Sequence, residues 1–405
     1  MNRAQTQVHR QNQGLPPMSE FRTAVSLHSH TFHSKENLDF LPHYIQFHHI
    51  PVISRLIQGE LKRHEQNSGR SVDFRSAYWT PPVTPAMVLA SEAGQIESKL
   101  GLQPLVSITD HDTIAGPLSL NAKPGSAPVP ISVEWSIPFA GNCFHVGVHN
   151  LPAESCQEIM RALAEYTAHP AEPMLGDLLA QLDSFPETLV VFNHPCCNFV
   201  RVEVARHSAS LREFLRRHGS RMHALELNGM RPWNENQDVL RLAEEYDMPI
   251  VAGGDRHGCR PNTMLNLTAA GSWAEFVGEI RGQRRNQILV LSAYEEPVRL
   301  RELATAGDVL RRYPRHPFGQ RRYTDRIFVN MEGYSWHPLS FYWDGGEGKP
   351  RWLQPVVNVV IALGSDRLRP ILRRFLSLRS YDSATQPLDG EYGSAAMTAH
   401  AGEQP

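Results

Sequence analysis

The sequence predicts an α/β protein, either a parallel α/β barrel or an open doubly wound sheet, and three observations carry that expectation. Short apolar, β-branched runs recur from residue 23 to residue 252, with helical patterns between most of them. The chain has 405 residues, 41% hydrophobic and 20% charged, so it can bury a sizeable core in one large domain or two smaller ones. Its His and acidic residues gather where the apolar runs end, as the chemistry of a barrel does at its strand ends, and this favours the barrel.

Taken in order, residues 1–20 are polar and rich in Gln, Asn and Arg, which predicts a disordered tail. Strands are expected at residues 23–27, 105–109, 131–134, 144–148, 189–192, 224–227 and 250–252. The clearest helix spans residues 85–100: Thr84 serves as N-cap, Pro85 takes the first turn, Leu89, Ala93, Ile96 and Leu100 share a face, and Gly101 ends it. Residues 38–82 interrupt the alternation, with a helix expected around residues 53–64. Because this insertion leaves directly after the first His cluster, it is placed either as a lid or substrate wall or as a surface segment that only packs on the barrel. The barrel is expected to occupy residues 21–300. Residues 301–380 carry many Arg and aromatic side chains, among them Tyr334, Trp336, Tyr342, Trp343 and Trp352, and form an extension that either caps the fold or mediates self-association. Residues 381–405 are a second disordered tail.

Forty Lys and Arg against 42 Asp and Glu leave a formal charge of -2, which excludes a general polyanion-coating protein. The five Cys include no C-x-x-C pair, so neither a disulfide framework nor a zinc ribbon is predicted, and a reducing compartment is the simplest expectation. No apolar stretch of signal-peptide length opens the sequence, and the apolar run at residues 356–363 is too short for a bilayer. A soluble cytoplasmic protein with no membrane partner is expected.

The chemistry-bearing residues start with His28 and His30, two apart at the end of the first strand, where both imidazoles face one side and can share an ion. His33, Lys35 and Glu36 follow. Asp110, His111 and Asp112 come after the second strand, Glu134 ends the third, and His145 and His149 lie on the fourth. Asn193 and His194 end the next strand, Glu226 and Asn228 the one after, and Asp255 and His257 repeat the two-apart geometry behind Gly253 and Gly254. Isolated core or surface His have no reason to choose strand ends repeatedly. A His and carboxylate set without Cys suits Mn, Zn or Fe, and its size exceeds what one ion needs, so two or three divalent ions are expected. Glu226 fits either the mouth of the site or a pairing with an Arg. Arg256, between two candidate ligands, is expected to face away into a structural pair, and Cys196 and Cys197 to be small buried hydrophobes. His149 is expected to pack rather than bind.

The ordered set H-x-H-T-x-x-S from His28, I-T-D-H-D-T from Ile108, V-E from Val133, F-H-x-G from Phe144, N-H-P from Asn193 and G-D-x-H from Gly254 resembles that of the PHP (polymerase and histidinol phosphatase) metal-dependent phosphoesterases, over residues 22–270. The resemblance implies a distorted, TIM-like seven-stranded β/α barrel with a trinuclear metal centre at its C-terminal mouth. Carried over by position, it gives His28, His30, Glu134 and Asp255 to a first ion and Glu134, His145 and His194 to a second, with Glu134 bridging. His111 and His257 go to a third. The family's remaining third-site ligand stands just after the Ser of the first motif, where this chain has Lys35, so the ligand shifts to Glu36, with His33 as fallback.

What the resemblance implies is hydrolysis of a phosphate ester, with a hydroxide bridging two ions roughly 3.5–4 Å apart and attacking phosphorus in line. Asp110 is expected either to orient His111, the favoured role, or to approach an ion directly, and Arg260 to reach the substrate phosphate. The I-T-D-H-D-T segment is similar to that of family members acting on nucleoside phosphates and 5′ ends of nucleic acids, which suggests a nucleotide or short oligonucleotide substrate. The alternatives are an amidohydrolase-type attack on a C–N or C–O bond, against which stands the lack of a strand-end Lys for carbamylation, and a non-catalytic metal-binding scaffold.

Overall fold

A computed structural model describes residues 3–38, 74–125, 127–330, 335–343 and 353–379, with isolated positions between 55 and 66. Its main sheet runs β1 (Gln5–Arg10), β12 (Arg285–Val290), β11 (Met264–Thr268), β2 (Thr23–Ser29), β10 (Ile250–Arg256), β9 (Ala224–Asn228), β8 (Leu189–Asn193), β7 (Asn142–His149) and β6 (Val133–Phe139). A further strand, β5 (Gln103–Val106), pairs with β2 beside that path. Strands β2, β8, β9, β10 and β11 are buried along their whole length, and all but β11 were expected from their apolar runs.

The sheet is mixed, which corrects the expectation of an all-parallel one. Strands β5, β2, β10, β9 and β8 are paired in parallel, but β6, β7 and β8 are antiparallel, and β11 is antiparallel to both β2 and β12. Ala140 and Gly141, at φ of 49° and 73°, form a two-residue turn that sends the chain straight back from β6 into β7 without a helix. The chain after β5 also meets β6, through a parallel bridge between His111 and Glu134.

Helices α1 (Pro85–Leu100), α2 (Ala115–Asn121), α3 (Cys156–Ala168), α4 (Glu172–Ser184), α5 (Val204–His218), α6 (Trp233–Tyr246) and α7 (Trp273–Arg281) alternate with the strands. The start and stop of α1 follow from its sequence: Thr84 Oγ1 accepts from the Met87 N–H at 3.2 Å, and Gly101 takes the left-handed conformation. In the largest core cluster, Trp135, Phe144 and Phe192 of the sheet pack with Leu163 and Tyr166 of α3, Leu179 of α4 and Phe214 of α5. Burying each such side chain is worth roughly 1.5–3 kcal/mol. Along β6, Val133, Trp135, Ile137 and Phe139 take the apolar side, which leaves Glu134 facing the opposite way.

Residues 5–10 are not a tail. They form β1, parallel to β12, with Val8 packed against the main core and Thr6 Oγ1 accepting from the Ile250 N–H. Polar composition hid this strand because it lies at the sheet edge, where alternate residues face water. After the main fold come α8 (Val298–Leu310), α9 (Tyr323–Arg326), α10 (Leu339–Trp343), α11 (Leu353–Leu363) and α12 (Arg369–Arg379). A second, four-stranded sheet joins β3 (Glu36–Asn37), β4 (Ala77–Trp79), β13 (Ile327–Val329) and β14 (His337–Pro338). Of the helix expected at residues 53–64, the described positions 55, 58, 59 and 61–63 are helical, and the tail expected at 381–405 lies outside the described residues. Among the described residues no helix is long and apolar enough to cross a membrane.

Candidate metal centre

The site is built where the backbone departs from regular strand. His28, His194 and Asp255 have φ of 63°, 27° and 51°, a left-handed region that costs a non-glycine residue of order 1–3 kcal/mol. Register between β2 and β10 shifts between Gly253 and Arg256, at the level of His28 and Asp255. Strained backbone at three neighbouring polar residues marks a place where packing and hydrogen bonds outweigh local preference.

Four overlapping groups result, each with its ligand-capable atoms within 4.8 Å of one another: His28, His30 and Glu134; His111, Glu134 and His145; His30, Glu36, His111 and His257; and His28, His194 and Glu226. Glu134 is fully buried at the centre. Its Oε2 has His28 Nε2 at 3.0 Å, His30 Nε2 at 3.2 Å and His111 Nδ1 at 3.4 Å. Its Oε1 has His194 Nε2 at 3.1 Å and His145 Nδ1 at 3.4 Å. Asp255 Oδ1 stands 3.5–3.6 Å from His28 Nε2, His30 Nε2 and His257 Nδ1. Glu36 Oε2 lies 3.4 Å from His111 Nε2 and 3.1 Å from His257 Nε2.

The outward nitrogen of several rings is tied up, which leaves the inward one free. His28 Nδ1 donates to Glu226 Oε1 at 2.6 Å, and Glu226 Oε2 accepts from the His194 N–H and from Asn228 Nδ2. His30 Nδ1 donates to Ser34 Oγ, which in turn donates to Glu36 Oε1 at 2.6 Å and accepts from the His111 N–H. His257 Nδ1 donates to its neighbour's carbonyl, that of Asp255, at 2.9 Å. This is the arrangement that fixes tautomer and ring direction in metal-ligating His. By contrast Glu134 Oε2, His111 Nδ1 and His145 Nδ1 are buried without any hydrogen-bond partner. Buried polar atoms are seldom left so, and these three converge on the shared carboxylate.

The charges reinforce one another. Burial alone would raise the Glu134 carboxyl, but His28, His111 and His145 hold it well below the usual carboxylate range. Glu36 is likewise held low against burial by His257 and His111, and Asp255 by His28. Against its own burial, His28 is pulled up by Glu134, Glu226 and Asp255. Such a set of carboxylates and imidazoles in one dry volume is the donor chemistry of a divalent transition-metal site.

The nine sequence-predicted ligands, His28, His30, Glu36, His111, Glu134, His145, His194, Asp255 and His257, are thus brought together; the expectations for Asp110, Arg260 and the strand end at Glu134 need correcting, and those for Arg256, His149 and Cys197 agree with the structure. Glu134 does not end a strand: β6 continues to Phe139, and Glu134 faces inward near its start, with His145 inside the antiparallel β7. Asp110 does not orient His111. Its carboxylate accepts from the Thr31 N–H at 2.5 Å and from Thr31 Oγ1 at 2.9 Å, and so anchors the turn after His30. Arg260 pairs at the surface with Asp366 and Arg256 with buried Glu92, and neither is drawn to the cluster. His33 joins none of the groups, and Lys35 turns its ammonium over the Tyr78 ring at 5.5 Å. His149 is buried on Ser107 Oγ. Cys196 is partly buried and Cys197 buried, and burial pushes both thiols up to about 12.

Sequence reasoning left the role of Glu226 open and missed two residues. Glu226 serves His28 and not an Arg, a role its strand-end position hinted at without naming the partner. Phe199 stacks on His145 with ring centres 4.8 Å apart, and the Arg231 guanidinium lies over Phe199 at 4.9 Å. Both sit in loops after β8 and β9, and no periodic pattern announces them.

No protein-family model matches the chain, and no curated protein matches it at a significant level. Among solved structures it is similar to a candidate metal-dependent phosphoesterase from Bifidobacterium adolescentis, at 15% identity and a TM-score of 0.29, over 49% of this chain and 91% of that one. It is also similar to PsfC from Pseudomonas syringae, at 16% identity and a TM-score of 0.37, over 54% and 88%. A third is an amidohydrolase from Chromobacterium violaceum, at 17% identity and a TM-score of 0.29, over 44% and 84%.

Proposed function

We propose that the chain is a metal-dependent phosphoesterase whose His and carboxylate cluster holds two or three divalent ions. The observation that carries the reading is Glu134: a fully buried carboxylate with five imidazole nitrogens within 3.4 Å, one of whose oxygens takes no hydrogen bond. An imidazole and carboxylate set without thiolate suits Mn, Zn or Fe. In this reading His28, His30, Glu134 and Asp255 hold one ion, Glu134, His145 and His194 a second, and Glu36, His111 and His257 a third. Strands β2 and β5 to β10, joined through the His111–Glu134 bridge, make up a distorted seven-stranded barrel around them.

Ions held by these residues would supply an acidified water and positive charge to balance that of a phosphate. The protein's own part is to arrange. Glu134 spans two groups with one oxygen each, so it fixes their separation. Glu226 keeps the proton on His28 Nδ1 and aims Nε2 inward. Arg231, layered on Phe199 beside His145 and 3.7 Å from Glu235, keeps part of its side chain exposed and would meet an anionic substrate there, the task the sequence had given to Arg260. The substrate we propose, from the likeness of the I-T-D-H-D-T segment at Ile108, is a phosphomonoester of the nucleotide or short oligonucleotide class, met in a reducing, cytoplasmic compartment.

The test is turnover of a panel by protein loaded with Mn(II): phosphomonoesters, 5′-phosphorylated oligonucleotides, and amides and lactones in parallel. Phosphate release that chelation abolishes supports the reading. Turnover confined to the amides or lactones transfers the site to amidohydrolase-type chemistry, and no turnover on any compound leaves a metal-binding scaffold.

A further inference from the structure

The group formed by His30, Glu36, His111 and His257 takes its carboxylate from β3, a strand of only two residues. What holds β3 is β4: Glu36 pairs with Trp79 and Asn37 with Tyr78. The other edge of β4 is held in turn by β13, where Ile327 pairs with Trp79, Phe328 with Tyr78 and Val329 with Ala77. Trp79 therefore lies between Glu36 and Ile327 of the C-terminal extension, and its ring stands 5.8 Å from that of His257.

A second set of contacts repeats the clamp one step further along. The Thr80 N–H donates to the Arg326 carbonyl at 2.9 Å, and His316 Nε2 donates to the Pro82 carbonyl at 2.6 Å. On the opposite side the Phe32 N–H, in the turn after His30, donates to the Val83 carbonyl at 2.8 Å. Residues 77–83 are thus gripped by residues 316–329 on one side and by residues 32–37 on the other. The gripping segment is itself pinned: the Arg326 side chain is fully buried and donates to the carbonyls of Val309, Arg311 and Gln320. Tyr78 stacks on Phe328, with ring centres 4.8 Å apart and planes within 10°, and the Lys35 ammonium rests over Tyr78. The cation adjoining Glu36 is thereby carried away from the carboxylate.

We infer that the C-terminal extension, through β13 and β4, is a positioning element of the third ion's pocket: it sets Glu36 between His111 and His257. The inference rests on the metal-centre reading above and adds to it that a segment outside the barrel fixes one of its ligands. It also accounts for Glu36 serving where Lys35 occupies the expected place, because Lys35, just before β3, lies over Tyr78 while Glu36, the first residue of β3, faces the cluster.

The experiment is Mn(II) bound per chain at equilibrium, read by elemental analysis and by titration, for the unaltered protein, Glu36→Gln, and His316→Ala combined with Phe328→Ala. The expected result is three ions for the unaltered protein, and in the double variant two ions of unchanged affinity with the third bound roughly 10- to 100-fold more weakly, as for loss of a ligand's supporting partner. Glu36→Gln should show the same selective loss. Thermal melting checks that the double variant folds. If its cooperative melt is lost, Phe328→Leu, which keeps an apolar side chain without the ring stack, takes its place. A third ion held with unchanged affinity in the folded variant overturns the inference, as does an unaltered protein that binds only two. An unaltered protein that binds none overturns the metal-centre reading itself.

Discussion

At residue 253 a methyl group would be enough to spoil the site. A Cβ there would stand 1.7 Å from Glu226 Oε1 and 2.9 Å from His28 Cβ, so only glycine lets the carboxylate reach the imidazole. Gly253→Ala should therefore fold less stably and bind metal at least tenfold more weakly, measured by thermal melting and Mn(II) titration. Glu226→Gln is the milder version. It keeps the shape, removes the charge beside His28, and should cost roughly 10- to 100-fold in metal affinity while leaving the far-UV spectrum unchanged; an unaltered affinity would show that Glu226 does not serve the site. At this scale the sequence was most informative. The ligand candidates other than Glu36 were legible because each sits in or beside an apolar run and two pairs are two residues apart; Glu36 came only through the resemblance. The supporting contacts were not: nothing in a local pattern says that Glu226 meets His28 across 198 positions, or that Asp110 turns to Thr31 and not to its neighbour His111.

Among the elements, the strands that escaped sequence reading did so for a physical reason. β11 and β12 carry Asn266 and Asn286, fully or nearly fully buried, which interrupt the apolar runs. Their amides serve backbone: Asn266 accepts from the Ala252 N–H and donates to the Ala252 and Val25 carbonyls, and Asn286 donates to the Ile250 carbonyl. A polar residue in a strand that satisfies its neighbours cannot be told from sequence apart from one that ends it. β1 is a similar case, and removing residues 1–10 should uncover the β12 edge, lower the melting temperature and promote association, visible by light scattering. At the start of β9, His223 Nδ1 accepts from the Val190 N–H at 2.8 Å and its Nε2 donates to Asp183 at 2.9 Å, so the ring is held neutral. Burial, with Arg281 nearby, pushes it down to about 4 from 6.5 despite Asp183. The unfolded chain therefore binds the proton more readily. Stability is fully present above pH 6.5 and is lost as pH falls toward 4, by on the order of 3 kcal/mol. Denaturant unfolding across that range should show the slope, and His223→Gln should flatten it.

For the whole molecule, the cluster concentrates Glu36, Glu134, Glu226 and Asp255 among His side chains in a buried volume, a costly arrangement whose charges are best balanced with cations bound. Metal should stabilise the fold by mass action, about 2.7 kcal/mol at a hundredfold excess over Kd, and chelation should lower the melting temperature accordingly. The seven expected strands and the order of their polar residues were legible, whereas the antiparallel pairings of β6, β7 and β11 and the small sheet joining residues 36, 79 and 327 were not, since both depend on pairings that no run of residues declares. The function proposed above is hydrolysis of phosphate esters by this cluster with bound metal. Its most direct test is the steady-state rate of phosphate release from a 5′-nucleoside monophosphate with saturating Mn(II), compared among the unaltered protein, His28→Ala, Glu134→Gln and Arg260→Ala. The account predicts a metal-dependent rate that falls roughly a thousandfold in the first two variants, the loss of several kcal/mol of transition-state stabilisation, and stays within a few fold in Arg260→Ala. Release that is independent of metal, or equal in His28→Ala and the unaltered protein, would contradict it.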